Sequence, residues 1–348
     1  MGMLPIGALA ALIGLMTGMV LGLAARLGEF CTLGAIESAI YGDDQRRLRL
    51  WGIVLGTAIF STFLLADAGL IDIEATIYHA IAWNPLASII GGAVFGYGMA
   101  LAGNCGFGAL ARFGGGDLRA FVVVVVMAIS GYVTLNGPLA NLRILAFPQH
   151  PADAPQGYAH LVAAQLGVPP LAFATIVAAA LTVWALSYAP LRRAHHRIGW
   201  GVASGLSISL ALWGTSTLNA MSFGAVPVEG HSFTAPLGRA LLWLMTASSG
   251  GLGFAVGSVA GVLAGAFIGS SIKGHFRWEA CEDPRELGRQ VSGAALMGVG
   301  GIVAMGCSVG QGLTGFATLA YSAPVTLAAI YFGALYGLRR LIQGYQPD

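Results

Sequence analysis

Charge is what this chain has least of. Only 9% of its 348 residues are Asp, Glu, Lys or Arg, where a soluble domain carries about a quarter. That scarcity, beside a hydrophobic share of 56%, excludes an ordinary soluble domain. Nucleotide chemistry is missing too. Neither a Walker motif, nor a dinucleotide fingerprint, nor a Ser/His/Asp set stands in a credible context, which argues against ATP-driven pumping by this chain alone and against an enzyme. The adjacent His195 and His196 lie in a basic loop without further ligands at metal spacing, and the remaining histidines are scattered, so no metal and no cofactor is expected. The net charge of +2 says little about partners, and nothing points to nucleic acid. Cysteine is scarce as well, at four. Cys31, Cys105 and Cys307 sit in apolar, glycine-rich stretches rather than in extracytoplasmic loops, which argues against disulfides.

What the chain does have is glycine, 52 residues of it, and a mean hydropathy of +0.77. Together these describe a polytopic helical membrane protein with closely packed helices. Pro5 to Ala25 has neither a basic leader nor a small-residue cleavage site, and reads as a retained transmembrane helix. Hydropathy predicts about nine spans: 5–25, 50–66, 86–103, 119–136, 169–189, 198–214, 251–271, 291–306 and 317–338. Segments around 30–40, 105–116, 217–227, 237–248 and 307–315 are predicted to be re-entrant or half-helical. Such backbone is tolerated at membrane depth only where protein or a water-filled cavity surrounds it.

Two of those breaks match. In Leu101-Ala-Gly-Asn104-Cys105-Gly106-Phe-Gly108 and Ala304-Met-Gly-Cys307-Ser308-Val-Gly-Gln311-Gly an apolar run stops at a cysteine and dissolves into glycines. Sliding the chain on itself by 202 residues superposes the cysteines, and brings Gly91, Ala93, Gly96, Gly98, Ala102, Gly108 and Gly131 onto Gly293, Ala295, Gly298, Gly300, Ala304, Gly310 and Gly333. A weaker echo, offset by 190, sets Cys31-Thr-Leu-Gly-Ala beside Met221-Ser-Phe-Gly-Ala.

Basic clusters at Arg46, Arg47 and Arg49, at Arg112 and Arg119, at Arg192, Arg193 and Arg197, at Lys273, Arg277, Arg285 and Arg289, and at Arg339 and Arg340 fit one cytoplasmic face. The loops 67–84 and 137–168, with Arg143 alone, fit the other face. The helices before Cys105 and Cys307 then run in opposite directions. The expected fold is therefore an all-α polytopic membrane protein, one integral domain over 1–348, built as a pseudo-symmetric inverted repeat. Residues 1–136 form the first repeat, 137–168 a connector and 169–348 the second repeat. Short, glycine-interrupted spans at corresponding places of two halves point to a transport site.

The breaks suit an anion. Glycines after each cysteine expose backbone N–H groups of the kind that form anion-binding concavities. Asn104, Ser308, Gln311 and Thr32 offer neutral hydrogen bonds, and Arg112 offers positive charge at a mouth or serves as a topology determinant. Glu29 and Glu37 flank Cys31 and would oppose an anion, so they are expected to point away or to pair with Arg26. A thiol in apolar surroundings stays neutral, is a weak donor with a polarizable sulfur, and suits brief contact with a soft anion that must also leave. The residues by themselves reach no further than a sulfur-rich anion path.

The chain resembles the YeeE/YedE family of membrane proteins, associated with thiosulfate uptake and related sulfur transport. The resemblance rests on Glu29-Phe-Cys31-Thr-Leu-Gly-Ala, on Leu101 through Arg119, on Phe276-Arg-Trp-Glu with Asp283-Pro-Arg-Glu-Leu, and on Gly306-Cys307-Ser-Val-Gly-Gln-Gly-Leu-Thr-Gly. It implies an hourglass-like helical bundle in the bacterial inner membrane and a substrate relay by Cys31, Cys105 and Cys307, with Asn104, Gly106, Gly108, Ser308 and Gln311 around them. It also implies a separate TusA-like sulfur carrier protein as partner, and leaves Cys281 incidental. Two rival readings are a membrane sulfurtransferase that forms a cysteine persulfide and a permease for a selenium compound.

Overall fold

The structure, a computed structural model, describes residues 5–248, 251–280 and 283–343; Cys281 lies outside them. Regular structure among the described residues is helical. The main helices are α1 (Ile6–Leu27), α2 (Thr32–Tyr41), α3 (Arg46–Asp67), α4 (Pro85–Ala102), α5 (Gly106–Gly114), α6 (Leu118–Leu135), α7 (Pro170–Leu186), α8 (His195–Met221), α9 (Ala235–Thr246), α10 (Phe254–Ile272), α11 (Pro284–Val303) and α12 (Ser322–Gln343). A π-helical turn, Gly310–Gly315, stands between the last two. Short helices Ile77–Ala80, Ala140–Ala146, Tyr158–Leu166 and Ala189–Arg192 complete the connections.

Seven helices (α1, α3, α4, α6, α8, α10 and α12) are long and apolar enough to cross a membrane by length and composition. A helix stands at the other two predicted spans as well. The α7 helix is apolar but only 17 residues long, and α11 carries Arg285, Glu286 and Arg289 in its first two turns. The chain is thus a multi-pass, all-α membrane protein.

Glycines decide which helices meet. Where α4 crosses α11, a Cβ on Gly91 would sit 2.6 Å from the Ala304 nitrogen, and one on Gly98 would sit 2.5 Å from the Gly293 carbonyl oxygen. No side chain fits there, so the two backbones approach directly, as small residues allow in membranes. The pairing of 91 with 304 and of 98 with 293 makes these helices antiparallel. Four more large pairings match two by two with the halves exchanged, whereas the packing of α7 on α3 has no such counterpart. The α1 helix lies on α10 as α8 lies on α3, and α4 lies on α12 as α11 lies on α6.

One predicted re-entrant segment is not there. Residues 217–221 simply continue α8, and the following turn is exposed, with Phe223 fully so. The chain enters the protein further on instead, over Val228 to Thr234, where His231 and Phe233 are completely buried. Met221, 61% exposed at the end of α8, therefore is not the counterpart of Cys31. That place belongs to Thr234. It precedes α9 as Cys31 precedes α2, and the neighbouring Phe233 and Phe30 rings pack on the same Phe107 ring, at 5.4 and 6.3 Å between centroids.

Candidate functional site

Three helices end in the same way, two residues before a cysteine. Glu29 (φ 56°), Gly103 (φ 75°) and Met305 (φ 55°) turn the backbone left-handed, which stops the preceding helix. Cys31 and Cys105 then stand as N-caps of α2 and α5 in extended backbone. The sulfur of Cys105 accepts the Gly108 N–H at 3.4 Å, and the sulfur of Cys307 accepts the Gly310 N–H at 3.4 Å. A thiol thus does what a serine or aspartate oxygen does at an ordinary N-cap. Cys307 accepts a second amide, Phe233 N–H at 3.2 Å. All three cysteines are free thiols, with Cys105 and Cys307 buried and Cys31 half-buried.

The three breaks meet in the middle of the bundle. The Thr32 hydroxyl donates to Ser308 Oγ at 3.1 Å and lies 3.9 Å from Cys105 Sγ, and Ser308 also faces the Cys105 sulfur. On the far side Ser232 Oγ is 3.9 Å from Cys307 Sγ. Gly108 stands between the other two thiols. A Cβ there would be 3.7 Å from Cys105 Sγ and 3.9 Å from Cys31 Sγ. Cys31, Cys105 and Cys307, interleaved with Thr32, Ser308 and Ser232, form one continuous file of polarizable and hydroxyl groups. Each sulfur contact named here is to a neutral group.

Other sequence-predicted residues play supporting parts. Gln311 is buried and spent on the fold, donating to Ala304 O at 2.8 Å and accepting from Ser322 Oγ at 2.9 Å. It braces the π-helical turn behind Cys307. Asn104 is buried with its Oδ1 unpartnered among the described residues, an acceptor held in reserve next to Cys105. Gly106 leaves room for Met127 and the Phe233 carbonyl, since a Cβ would meet them at 2.8 and 2.6 Å. Glu29 does not pair with Arg26. Its Oε2 accepts from both Arg47 and Arg197, each at 2.9 Å, because the left-handed turn at Glu29 carries the carboxylate toward α3 and α8.

Two cavities approach the file from opposite ends. The larger, about 370 Å³, is walled by Arg26, Glu29, Cys31, Glu37, Arg47, Gly108, Arg112 and Lys273 among others, and opens on the basic face. The smaller, about 150 Å³, is lined by Arg143, Ser232, Thr234, Arg239, Gly301 and Gly306. Gly103, at the end of α4, borders the first, and Gly301, near the end of the antiparallel α11, borders the second. Residues Ser232 and Thr234 lie in the broken stretch before α9. The signal that could have found them is the Phe-Thr-Ala-Pro-Leu-Gly run over 233–238, which matches Phe30-Cys-Thr-Leu-Gly at Phe, Leu and Gly once one inserted residue is allowed for.

A helical bundle with vestibules on both faces and a narrow polar file between them defines a membrane transport protein. The comparison with known families agrees: the family model described as sulphur transport matches residues 27–336, and the chain belongs to that family, the YeeE/YedE group. A thiosulfate transporter, TsuA, of Spirochaeta thermophila is 26% identical over 328 residues, covering 92% of this chain and 94% of the relative. The TsuA of Escherichia coli is 27% identical over 341 residues, covering 92% and 91%.

Proposed function

We propose that this chain takes up thiosulfate, or a closely similar sulfur-containing inorganic anion, across a bacterial inner membrane, passing it along Cys307, Cys105 and Cys31. The observation that carries the reading is the file itself: three thiols in hydroxyl-lined succession between two vestibules that carry arginines. Each thiol is a weak donor with a soft sulfur, so the terminal sulfur of the substrate finds contacts it can leave again. Ser232, Ser308 and Thr32 hydrogen-bond the oxygens, and Asn104 Oδ1 stays available to orient a donor. Residues 1–136 and 169–348 serve as the two inverted repeats, joined by 137–168, and a separate TusA-like carrier is the acceptor on the basic face.

Labelled thiosulfate supplied to proteoliposomes tests the substrate. Uptake competed by thiosulfate and not by sulfate supports it, and competition by selenite alone transfers the reading to a selenium compound. Intact-mass analysis after turnover without reductant tests the relay. Unmodified cysteines and intact substrate are expected, since neutral contacts hold no thiolate ready to attack. A substrate-dependent gain of one sulfur atom on Cys31, Cys105 or Cys307, formed and discharged at the transport rate, would replace the relay with sulfurtransferase chemistry.

A further inference from the structure

The vestibule beside Cys31 holds more positive charge than its own carboxylates neutralise. Arg46, Arg47, Arg119 and Arg197, all on the basic face, reach a carboxylate within 4.0 Å. Among the described residues, Arg26, Arg112 and Lys273 do not. Arg26 is partly buried, and its Nε is closed off from solvent with no hydrogen-bond partner. Asp117 and Glu279 act on Arg26 only from beyond ion-pair distance, and a half-buried cation without a direct partner is costly, which invites a ligand. The wall carries four cations, Arg26, Arg47, Arg112 and Lys273, against two carboxylates, Glu29 and Glu37. Glu29 is held by Arg47 and Arg197, and among the described residues Glu37 has no ion-pair partner within 4.0 Å. Among the lining side chains the imbalance is two positive charges, the complement of a dianion.

Resting on the transport reading above, we infer that this vestibule is a separate binding site for small divalent oxyanions, in which Arg26 and Arg112 hold the anion against the wall that Cys31 belongs to. The cavity of about 370 Å³ has room for a small tetrahedral anion with several waters, each of about 30 Å³. Guanidinium groups recognise charge and oxygen geometry. This site therefore binds sulfate and thiosulfate alike, and discrimination for sulfur is left to the buried thiols. Selection by charge and selection by softness occupy different places along one path.

Sodium sulfate is the probe, added to the purified full-length chain in nanodiscs at constant ionic strength, with calorimetric binding as the readout. Saturable sulfate binding is expected in wild type. Arg26→Gln and Arg112→Gln should each weaken it by about tenfold, the effect of removing one charge some 5 Å from a dianion in a watery site. Glu37→Gln should tighten it by a similar factor. A gain of affinity cannot come from misfolding, so this variant keeps the test decisive if an arginine variant proves unstable. Sulfate affinity indifferent to Arg26, Arg112 and Glu37 overturns the inference, whatever thiosulfate uptake does. If sulfate binding follows the three substitutions but wild-type proteoliposomes accumulate no thiosulfate, the site stands and the transport reading falls.

Discussion

Gly108 offers a way to obstruct the file without disturbing the fold. An alanine Cβ at this position would lie 3.4 Å from Asn104 Cβ, 3.7 Å from Cys105 Sγ and 3.9 Å from Cys31 Sγ. All three are ordinary contacts, and the residue is helical without a left-handed φ, so no backbone shift is required. Alanine in a helix is favoured over glycine by about 0.5–1 kcal/mol, and Gly108→Ala should leave stability unchanged or slightly raised. The methyl nevertheless fills the space that the two thiols share. An anion passing from Cys105 to Cys31 must push it aside, and forcing extra volume into a packed site costs about 1–3 kcal/mol. That translates into a rate loss of roughly 5- to 150-fold. The assay is the initial rate of labelled thiosulfate uptake into proteoliposomes at matched protein content, with a thermal unfolding curve of the same preparation. A wild-type rate at wild-type stability would refute the passage between these sulfurs.

Three further outcomes follow from particular contacts. Thr32→Val keeps shape but deprives Ser308 Oγ of its buried donor at 3.1 Å; chemical denaturation should show a loss of about 1–3 kcal/mol, and uptake should slow as well. Thr234 Oγ1 is buried without a partner among the described residues, so Thr234→Val should be neutral or stabilising in a thermal melt, and a clear loss of stability would reveal a hydrogen bond to that hydroxyl. His79, in the loop helix Ile77–Ala80, is held neutral, its pKa pushed down to about 4 by burial and then by the neighbouring His160. The unfolded chain therefore takes up this proton first, at its ordinary value near 6.5. Stability is full above that pH and should fall by about 3 kcal/mol as pH drops toward 4. His79→Gln should flatten that part of the pH–stability curve.

The sequence by itself determined the parts governed by local composition and by exact repetition. A bilayer demands about twenty apolar residues per crossing, so all nine expected spans correspond to helices, even where α11 carries charges at its start. The 202-residue register was legible because glycines at helix crossings leave no alternative: a Cβ on Gly91 or Gly98 would strike the partner's backbone. Cys105 and Cys307 were legible for the same reason, as the cysteine and its third-following glycine recur intact. Tertiary structure decided the rest. The counterpart of Cys31 is Thr234 because one inserted residue hides the match in the chain, while space requires only that a chain break and an aromatic ring reach Phe107. The Met221 echo was a likeness of letters at an exposed helix end. Glycine rules could find the left-handed turn at Gly103 but not those at Glu29 and Met305, where surrounding packing holds ordinary residues in a conformation they disfavour. Which arginines are neutralised was equally beyond the sequence. Arg47 and Arg26 look alike in the chain, and only the turn at Glu29 gives a carboxylate to the first and leaves the second lining the vestibule with no carboxylate at ion-pair distance among the described residues.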